Sequence, residues 1–392
     1  MRAEGLFGQA VDRIGGEPVS SRMARKAPIR HLDPSLLLIT AMLAAFGAMM
    51  IFSATASKQE AAGLDPGTFM KRQVIYGLAG VVALIVVSSF DYRRLRGLSI
   101  VLYGLTLVAL ALVLTPLSTP VGGAQRWIDL GSFQAQPSEF AKIGLILVIA
   151  AYLAERKDEI RARDIAIVLG IVALPSALVF LEPDLGTMMV LVAVTLALLL
   201  IAGAKVRHFV ALFALGLVGI VTALQLNLIR DYQLERITAF LDTNPDPLSE
   251  GYNVTQAKLA IASGGLRGTG LDRGAKLTTL DYVPEQHTDF IFTAIGEQLG
   301  FIGSATMLGL FALLIWRALR IAAMSRDAYG TMVAGGIAAL WGFQLFVNVG
   351  MTMGIMPITG IPLPFISYGG SSMLTHFIAV GLLHSIHMRR FL

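Results

Sequence analysis

The feature that most constrains the fold is a series of apolar runs, each about as long as a helix that crosses a membrane. A bilayer hydrocarbon core is spanned by about 20 predominantly apolar residues in helical conformation. Ten such runs follow one another along the chain: 35–53, 73–90, 98–117, 139–154, 165–181, 185–204, 209–228, 290–316, 331–351 and 365–387. The sequence therefore predicts an all-α polytopic membrane protein with ten transmembrane helices.

The composition excludes the main soluble classes. Of the 392 residues, 55% are hydrophobic and 15% are charged, whereas about 25% charged residues is usual in soluble domains. A soluble protein of this size cannot hide so much apolar surface, which excludes a cytosolic enzyme, a disordered chain and a nucleic-acid-binding domain. No nucleic-acid partner is expected. The absence of cysteine also excludes disulfides and thiolate metal sites.

The distribution of lysine and arginine predicts the orientation in the membrane. Short cytoplasmic loops carry an excess of these residues, and twenty of the 31 lie in the N-terminal tail, in alternate loops and after the last run. Both termini are therefore expected on the cytoplasmic side. The basic tail, residues 1–34, contains no apolar segment of the kind that a cleavable signal peptide requires. Residues 35–390 are expected to form a single membrane domain, with residues 229–288 as one large extracytoplasmic loop between the seventh and eighth helices.

Charged residues near the membrane interface are the candidate functional residues, because charge is costly at bilayer depth. The segment QPSEFAK opens the fourth run, with Ser138 as the expected N-cap. Glu139 and Lys142 are three residues apart on one helical face and can pair. One interpretation is a cap and a structural ion pair. The other places Lys142 at the outer mouth of a cavity, where it binds an anionic headgroup.

Two external loops contribute further candidates. Asp184, in the segment EPDLGT, is either the N-cap of the sixth helix or a partner that holds Lys142 and leaves Glu139 free. Arg126 lies beside Trp127 in another loop. A tryptophan there is an ordinary interface anchor, whereas the arginine is a candidate phosphate clamp because a guanidinium binds phosphate oxygens bidentately. Both alternatives stay open at each position.

The densest group of titratable residues stands where the long loop ends and the eighth helix begins. Glu285, His287 and Asp289 lie within five residues of one another. Thr288 or Asp289 can simply cap the helix. A half-buried carboxylate beside a histidine is also what a general base requires, because desolvation raises the pKa of a carboxylate and a nearby donor orients it. Glu297 is expected on the same helical face, deeper in the membrane.

Two glycine-rich segments complete the candidates. Residues 264–270, GGLRGTG, fit neither a Walker A motif nor a dinucleotide fingerprint. They predict tight turns after a short helix over 254–262, and Arg267 adds positive charge there; a further short helix is predicted over 231–241. Residues 360–372 contain prolines, glycines and Ser367, a candidate substrate-binding residue. Helix breaks at membrane depth require protein or a water-filled cavity around the freed backbone groups, so this segment is expected to form a cavity wall.

Six of these segments occur in the order found in the SEDS family of shape, elongation, division and sporulation proteins, which the chain resembles from about residue 31 to residue 390. The strings are GAQRWIDL, QPSEFAK, EPDLGT, GGLRGTG, PEQHTDFIF and GIPLPFISYGGSS. The strings HLDPSLLL and GIPLPFISYGG resemble the elongation branch of the family more than its division branch. The chain departs from the family pattern at Glu182, where glutamine is common, and in its longer N-terminal tail.

The resemblance implies a ten-helix peptidoglycan glycosyltransferase. Its substrate would be lipid II, a disaccharide-pentapeptide on undecaprenyl pyrophosphate. By position in the motifs, Asp289 matches the family's essential aspartate, and Glu139, Lys142 and Asp184 match its polar cavity residues. The resemblance also implies a class B penicillin-binding protein and other membrane proteins of the elongation machinery as partners. It implies a place in the bacterial inner membrane, with the active site on the extracytoplasmic side.

The reaction that the resemblance implies inverts the anomeric bond from α to β, so one in-line displacement suffices without a covalent intermediate. Asp289 is expected to act as general base on the acceptor hydroxyl, with His287 or Glu285 shaping its pKa. The leaving pyrophosphate needs positive charge. The candidates for that role, in falling order, are Lys142, Arg126 and Arg267. The chemistry also admits a Mg²⁺ or Mn²⁺ ion that bridges a carboxylate and the pyrophosphate, although no ligand spacing in the sequence demonstrates one.

Two other classes of function stay open. A lipid II flippase or other transporter also needs a polar cavity and charges within the membrane. The chain shows no internal repeat, however, and its acids cluster toward the external face rather than at the midplane, where transporter sites lie. A non-catalytic scaffold of the elongation machinery would tolerate the loss of Asp289.

Overall fold

The computed structural model of the chain consists mainly of long helices. It describes residues 32–116, 118–121, 124–129, 131, 133–156, 159–226, 250–271 and 286–390. The helices in these ranges are α1 (Pro34–Ala61), α2 (Thr68–Ser89), α3 (Tyr92–Val113), α4 (Pro137–Ala154), α5 (Ala162–Leu181), α6 (Leu185–Ile201), α7 (Val206–Gln225), α8 (Glu250–Ser263), α9 (Ile291–Ala323), α10 (Ala328–Thr352) and α11 (Gly370–Arg389). Each predicted run overlaps one of these helices, and α8 covers the short helix predicted in the long loop. The helix predicted over 231–241 and residues 1–31 of the tail lie outside the described residues.

Seven helices of the described chain are long and apolar enough to cross a membrane, namely α1–α5, α9 and α10. α6 is apolar but has only 17 residues, and α7 is a further apolar helix, over Val206–Gln225. The length and composition of these helices make the chain a multi-pass membrane protein. Ten crossings remain a prediction.

The core of the bundle lies around α4, α10 and α11. Nearly every residue of α4 and α11 is buried, charged and polar side chains included. Trp341 of α10 is fully buried, and its Nε1 donates a hydrogen bond of 3.2 Å to Nδ1 of His376 on α11. By contrast, α2, α3 and α7 expose many of their aliphatic side chains, as helices next to lipid do. The candidate charges on α4 therefore lie in the protein interior.

Side-chain caps define the starts of several helices. Oδ1 of Asp33 accepts hydrogen bonds from the backbone N–H groups of Ser35 and Leu36 at 3.1 and 3.2 Å, and Pro34 takes the first helical position. An acceptor at the N-cap and a proline after it are the usual start of a helix, because both answer the missing partners of the first N–H groups. Asp184 caps α6 in the same way.

Two predicted caps are wrong. α4 begins at Pro137, so Ser138 lies inside the helix and its hydroxyl caps nothing. The physical reason is that a proline strongly prefers the first helical position, which places the N-cap before it. α9 begins after Phe290 without any side-chain cap. Phe290 takes the N-cap position, so Thr288 and Asp289 lie before it, in the turn of residues 286–290.

α9 is interrupted at Gly300, whose φ of 62° and ψ of −159° are not helical. Such a break frees backbone N–H and C=O groups, which need partners within the protein at membrane depth. The turn after α8 supplies them. The four bonds run from Thr269 N to Glu297 O at 2.9 Å, from Gly270 N to Gln298 O at 3.0 Å, from Phe301 N to Gly265 O at 2.9 Å and from Ile302 N to Leu266 O at 3.1 Å.

The glycines of the GGLRGTG segment allow this close approach. A Cβ on Gly264 would lie 2.0 Å from the carbonyl oxygen of Gly296, and one on Gly268 would lie 2.1 Å from that of Gln298. No side chain fits in either place, because the obstructing atoms belong to the backbone. The predicted tight turn after a short helix is thus confirmed, and it serves to join the long loop to α9. Arg267 is on the exposed side of this turn.

The loop between α3 and α4 departs from the all-α prediction, because it forms a small antiparallel sheet. Its strands pair in the order β1 (Ser118–Val121), β2 (Ala124–Asp129) and β3 (Gln134–Ala135). Ser371, on α11, accepts a hydrogen bond from the backbone N–H of Gln136 at 2.9 Å and donates one to the carbonyl of Gln134 at 3.1 Å. Strands this short depend on such tertiary contacts, which explains why the local sequence pattern did not predict them.

Candidate active site

Asp289 lies in the turn of residues 286–290 that leads into α9. Nδ2 of Asn348, on α10, donates to the backbone carbonyls of both Asp289 and Ile361 at 2.8 Å. A Cβ on Gly360 would lie 3.2 Å from Oδ2 of Asp289, and Gly360 has a φ of +71°. The Asp289 carboxylate therefore lies directly over Gly360. The backbone of Asp289 is held in place by Asn348 of α10, which also holds the segment that contains Gly360 and Ile361. Asp289 itself is partly exposed.

The loop between α10 and α11, residues 353–369, encloses this turn. Oγ of Ser367 donates to the carbonyl of Thr288 at 2.6 Å and accepts from the backbone N–H of Leu363 at 2.8 Å. The backbone N–H of Tyr368 donates to the carbonyl of His287 at 2.9 Å. The loop is thus a wall beside Asp289, and the buried Ser367 hydroxyl holds that wall to the turn.

Aromatic rings orient His287. Its imidazole packs against Phe69 of α2, with ring centroids 4.9 Å apart, and against Tyr368, at 5.7 Å. Phe69 and Tyr368 also contact each other edge to face at 5.1 Å. The three rings join α2 to the turn that carries Asp289. Glu285, the other predicted neighbour of Asp289, lies outside the described residues.

Glu139 and Lys142 form the predicted ion pair. Nζ of Lys142 donates to Oε1 of Glu139 at 2.6 Å, and both residues are 1% exposed. Lys142 is thus enclosed by protein atoms, and its binding of an anionic headgroup at the outer mouth of a cavity stays a prediction. Oε2 of Glu139 and Oγ of Ser138 are also buried, and neither has a hydrogen-bond partner within the described ranges. Buried polar atoms of this kind mark a place where water or ligand groups complete the bonding.

Asp184 is the N-cap of α6. Its Oδ1 accepts from the backbone N–H of Thr187 at 3.0 Å and its Oδ2 accepts from the Thr187 hydroxyl at 2.9 Å. Both carboxylate oxygens thus serve the cap, which confirms the first of the two interpretations. Glu139, rather than Asp184, holds Lys142.

Arg126 holds the turn that precedes Asp184. From β2, its Nε donates to the carbonyl of Glu182 at 3.1 Å, and its Nη2 donates to the carbonyl of Pro183. These bonds join the small sheet to the connection between α5 and α6. Two of the donors that a phosphate clamp would use are therefore committed to backbone oxygens.

The first turn of α6, which Asp184 caps, and the turn that carries Asp289 lie against neighbouring residues, Thr359 and Gly360. A Cβ on Gly186, in the first turn of α6, would lie 2.4 Å from the carbonyl oxygen of Thr359. The next residue, Gly360, lies under the Asp289 carboxylate. One short stretch of the loop between α10 and α11 therefore separates the Asp184 cap from Asp289.

The sequence analysis did not single out Gln73 and Asn348, two side chains that hold the candidate site together. Each is an amide side chain inside an apolar run, and each is almost completely buried. Nε2 of Gln73 donates to the carbonyl of Ser367 at 3.1 Å. A buried amide is costly unless it is hydrogen-bonded, so its presence within a predicted membrane helix was the available signal. Glu297, expected deeper along α9, is indeed buried.

Glu182 adds a titratable group to this region. Its side chain is 1% exposed, and neither of its carboxylate oxygens has a hydrogen-bond partner in the described part of the chain. Burial and the charge of Asp184 raise the pKa of Glu182 to about 8, against the opposing charge of Arg126. The folded protein therefore retains a proton at Glu182 over a range in which the unfolded chain has released it.

We expect this proton to make stability depend on pH. Because its pKa is raised, Glu182 contributes its full amount to the free energy of unfolding below about pH 4.5. That contribution is lost as the pH rises toward about 8. The thermal denaturation midpoint of the wild type in detergent should accordingly fall between about pH 5 and pH 8, and Glu182→Gln should flatten this decline. Glu155→Gln, at an exposed glutamate paired with Arg96, is the matched control. An identical decline in wild type and Glu182→Gln would contradict the assignment.

The chain is similar to known proteins in sequence and in fold. Residues 34–391 match the FtsW/RodA/SpoVE family model, which is described as "Cell cycle protein". The chain is 39% identical over 357 residues to "Stage V sporulation protein E" of Bacillus subtilis, covering 90% of this chain and 96% of that protein. It is 36% identical over 360 residues to "Peptidoglycan glycosyltransferase MrdB" of Escherichia coli K12, covering 92% of this chain and 94% of that protein.

Solved structures show the same fold. A chain from the structure described as "Structural coordination of polymerization and crosslinking by a peptidoglycan synthase complex" is similar with a TM-score of 0.78 and 32% identity, over 92% of this chain and 98% of that one. The rod shape determining protein RodA of Thermus thermophilus is similar with a TM-score of 0.68 and 30% identity, over 92% and 98% of the two chains. The similarity thus extends over nearly the whole described bundle.

Proposed function

The chain belongs to the FtsW/RodA/SpoVE family of cell cycle proteins, and we propose that it is a peptidoglycan glycosyltransferase that polymerises lipid II into glycan strands. The single observation that supports this most is the setting of Asp289. Asp289 is partly exposed, its carboxylate lies over Gly360, and Asn348 holds its backbone. The chain also matches a protein named peptidoglycan glycosyltransferase over nearly its full length.

In the proposed reaction, the C4 hydroxyl of the acceptor N-acetylglucosamine attacks the anomeric carbon of the donor N-acetylmuramic acid. Asp289 takes the hydroxyl proton while the new C–O bond forms and the bond to the pyrophosphate oxygen breaks. Undecaprenyl pyrophosphate leaves with the bonding electron pair. One in-line displacement inverts the anomeric centre from α to β and needs no covalent intermediate. A base held in a fixed position beside the reacting hydroxyl is what this step requires.

The leaving pyrophosphate needs positive charge. Lys142 is the first candidate, because its ammonium lies beside a carboxylate that has one unpartnered oxygen in a buried polar region. Arg126 comes second, since two of its donors already hold the turn before Asp184. Arg267 comes third, on the exposed side of the turn beside α9. We therefore retain the order that the sequence suggested.

A Mg²⁺ or Mn²⁺ ion that bridges a carboxylate and the substrate pyrophosphate stays a prediction. No group of three or more His, Cys, Asp or Glu side chains that could hold a metal ion occurs in the described ranges. An ion that bridges one carboxylate and the pyrophosphate would draw its remaining ligands from the substrate and water, and no step is assigned to it. Proton transfer at Asp289 and charge stabilisation by basic side chains form the proposed mechanism.

The proposal includes ten membrane crossings, cytoplasmic termini and an active site that faces the extracytoplasmic side of the bacterial inner membrane. Ten helices that match the ten apolar runs support the crossings. Three ion pairs hold helix ends together on one face of the bundle. They join the start of α1 to α9, the start of α3 to the α9–α10 connection, and the end of α11 to the α2–α3 connection. They are Arg317–Asp33, Arg93–Asp327 and Arg389–Asp91. This arginine-rich face has the composition of a cytoplasmic surface.

We also propose that the protein works in cell-wall elongation with a class B penicillin-binding protein, which cross-links the strands, and with other membrane proteins of that machinery. The similarity to a chain of a complex that coordinates polymerization and crosslinking supports the partner. The similarity to a rod shape determining protein supports the elongation branch.

The test is polymerisation of fluorescent lipid II by the purified chain, alone and with a class B penicillin-binding protein. We expect long glycan strands, with a higher yield when the partner is present. Lipid II that crosses vesicle membranes without being polymerised would replace the proposal with a flippase. Neither polymer nor transport under either condition would favour the scaffold, which acts only through other enzymes.

A further inference from the structure

A long apolar cavity lies between α1, α2 and α11. It has a volume of about 760 Å³. The α1 wall consists largely of alanines, Ala41, Ala44, Ala45 and Ala48, and Gly77 lies opposite on α2. A Cβ built on Gly77 meets no atom within 4 Å. The cavity exists because these positions carry small side chains or none.

The cavity runs almost the full length of α2. Its lining extends along this helix from Gln73 to Ser89, which corresponds to about 24 Å at 1.5 Å per residue. Arg389 closes the end at Ser89, where its guanidinium donates to the carbonyls of Ser88 and Ser89 at 3.1 and 2.9 Å. Leu78, midway along the lining, is exposed on the outside of the bundle. The cavity is therefore a groove with a lateral opening toward the membrane.

The other end of the groove adjoins the candidate active site. Gln73 forms that end, and its Nε2 donates to the carbonyl of Ser367 while its Oε1 accepts from the backbone N–H of Gly369 at 3.4 Å. The Ser367 hydroxyl in turn donates to the carbonyl of Thr288, the residue before Asp289. One hydrogen-bonded side chain thus separates the groove from the turn that carries the proposed base.

The length of the groove points to an unusually long chain. One leaflet of a bilayer is about half of a 30 Å hydrocarbon core, or about 15 Å, so an ordinary acyl chain would fill only part of a groove of about 24 Å. A polyprenyl chain that is longer than one leaflet can occupy all of it. Such a chain, carried by a pyrophosphate-linked sugar, would place its head beside Gln73.

We propose that this groove binds the undecaprenyl chain of the lipid-linked substrate and thereby positions the sugar-pyrophosphate head next to the Asp289 turn. This inference rests on the proposed function, since it assigns the lipid part of the same substrate. The groove selects its ligand by chain length and apolar contact, because each further methylene that it buries adds to the binding free energy. Selection by length makes the groove a specificity site of the enzyme.

The test fills the groove with Gly77→Phe. The added ring enters open space in the middle of α2, so the helix can accept it. Gly104→Phe is the matched control, because Gly104 lies in the middle of α3, outside the groove lining, and its Cβ would also meet no atom within 4 Å. Both variants are compared with wild type in polymerisation of undecaprenyl lipid II and of an analogue with a short prenyl chain.

We expect Gly77→Phe to raise the KM for the undecaprenyl substrate by about tenfold or more, which corresponds to the loss of about two buried methylenes. Its KM for the short-chain analogue and its kcat should stay close to wild type, and Gly104→Phe should change neither. Equal effects on both chain lengths, or no effect on either, would overturn the proposal.

A binding measurement separates this inference from the proposed activity. Undecaprenyl phosphate with a photoreactive end group should label the α2 segment of the wild type but not that of Gly77→Phe, and unlabelled undecaprenyl phosphate should compete. A photoreactive phospholipid that labels the segment equally well would show an ordinary lipid site and would overturn the proposal. Specific labelling in a protein without polymerase activity would retain the groove and reject the glycosyltransferase.

Discussion

Asp289→Asn is expected to lower the rate of lipid II polymerisation by about 10²–10⁴-fold, the contribution typical of a positioned general base. Asparagine has nearly the same shape, so the contact with Gly360 and the hydrogen bond from Asn348 to the backbone can persist. Its amide cannot take up the proton of the acceptor hydroxyl. The loss should therefore appear mainly in kcat, and much less in KM.

The control for this variant is Asp65→Asn. Asp65 lies in the connection between α1 and α2, where it is exposed and pairs with Lys71. The substitution makes the same chemical change away from the site and should leave the rate unaltered. The two variants should share one thermal denaturation midpoint with the wild type. A folded Asp289→Asn protein that keeps more than about a tenth of the wild-type rate would move the base elsewhere, with Glu139 next in line.

Lys142→Met is expected to cause the largest loss of stability. It leaves the Glu139 carboxylate buried without its ammonium partner. Removing one member of a buried ion pair typically lowers the free energy of unfolding by about 3–5 kcal/mol. We expect a steep fall of the thermal denaturation midpoint in detergent, or a failure to recover folded protein. Lys71→Met, which breaks the exposed pair with Asp65, should change the midpoint little, because solvent screens exposed pairs.

A double variant separates the structural role of the pair from its proposed part in pyrophosphate binding. Glu139→Gln combined with Lys142→Met removes both charges, and neutral replacement of a buried pair is often tolerated. We expect this protein to regain most of the lost stability while its polymerisation rate stays at least about tenfold below wild type, since no ammonium meets the leaving group. Wild-type activity in the double variant would assign the pair a structural role alone.

The local sequence was sufficient to predict most of the helices in the bundle. Runs of about 20 apolar residues predicted the helices, because the length that crosses a bilayer depends only on the rise per residue. The Asp184 cap and the pairing of Glu139 with Lys142 were among the alternatives that the sequence offered, since each joins residues within one helical turn. Pro137 moved the start of α4 ahead of Ser138, although a proline signal of this kind was present in the sequence.

The assembly of the site depends on longer-range contacts. Gln73 meets Ser367 across 294 positions of the chain, and Asn348 meets Asp289 across 59. The sequence made Arg126 a candidate phosphate clamp, yet its guanidinium donates to two backbone carbonyls that lie 56 and 57 residues further along the chain. Nothing within a few residues of these side chains identifies such partners.

By itself, the sequence determined that this is a membrane protein built from apolar helices, which charged residues stand near the membrane interface, and which of them are close enough in the chain to pair within a turn. Only the tertiary structure decided that Gly360 lies under Asp289, that a glycine-rich turn closes the break at Gly300, and that small residues on α1 and α2 leave a groove. The physical reason is that helix formation and capping are settled by neighbours in the chain. A buried polar atom or a cavity is instead defined by what packs against it, and that depends on how distant helices approach one another.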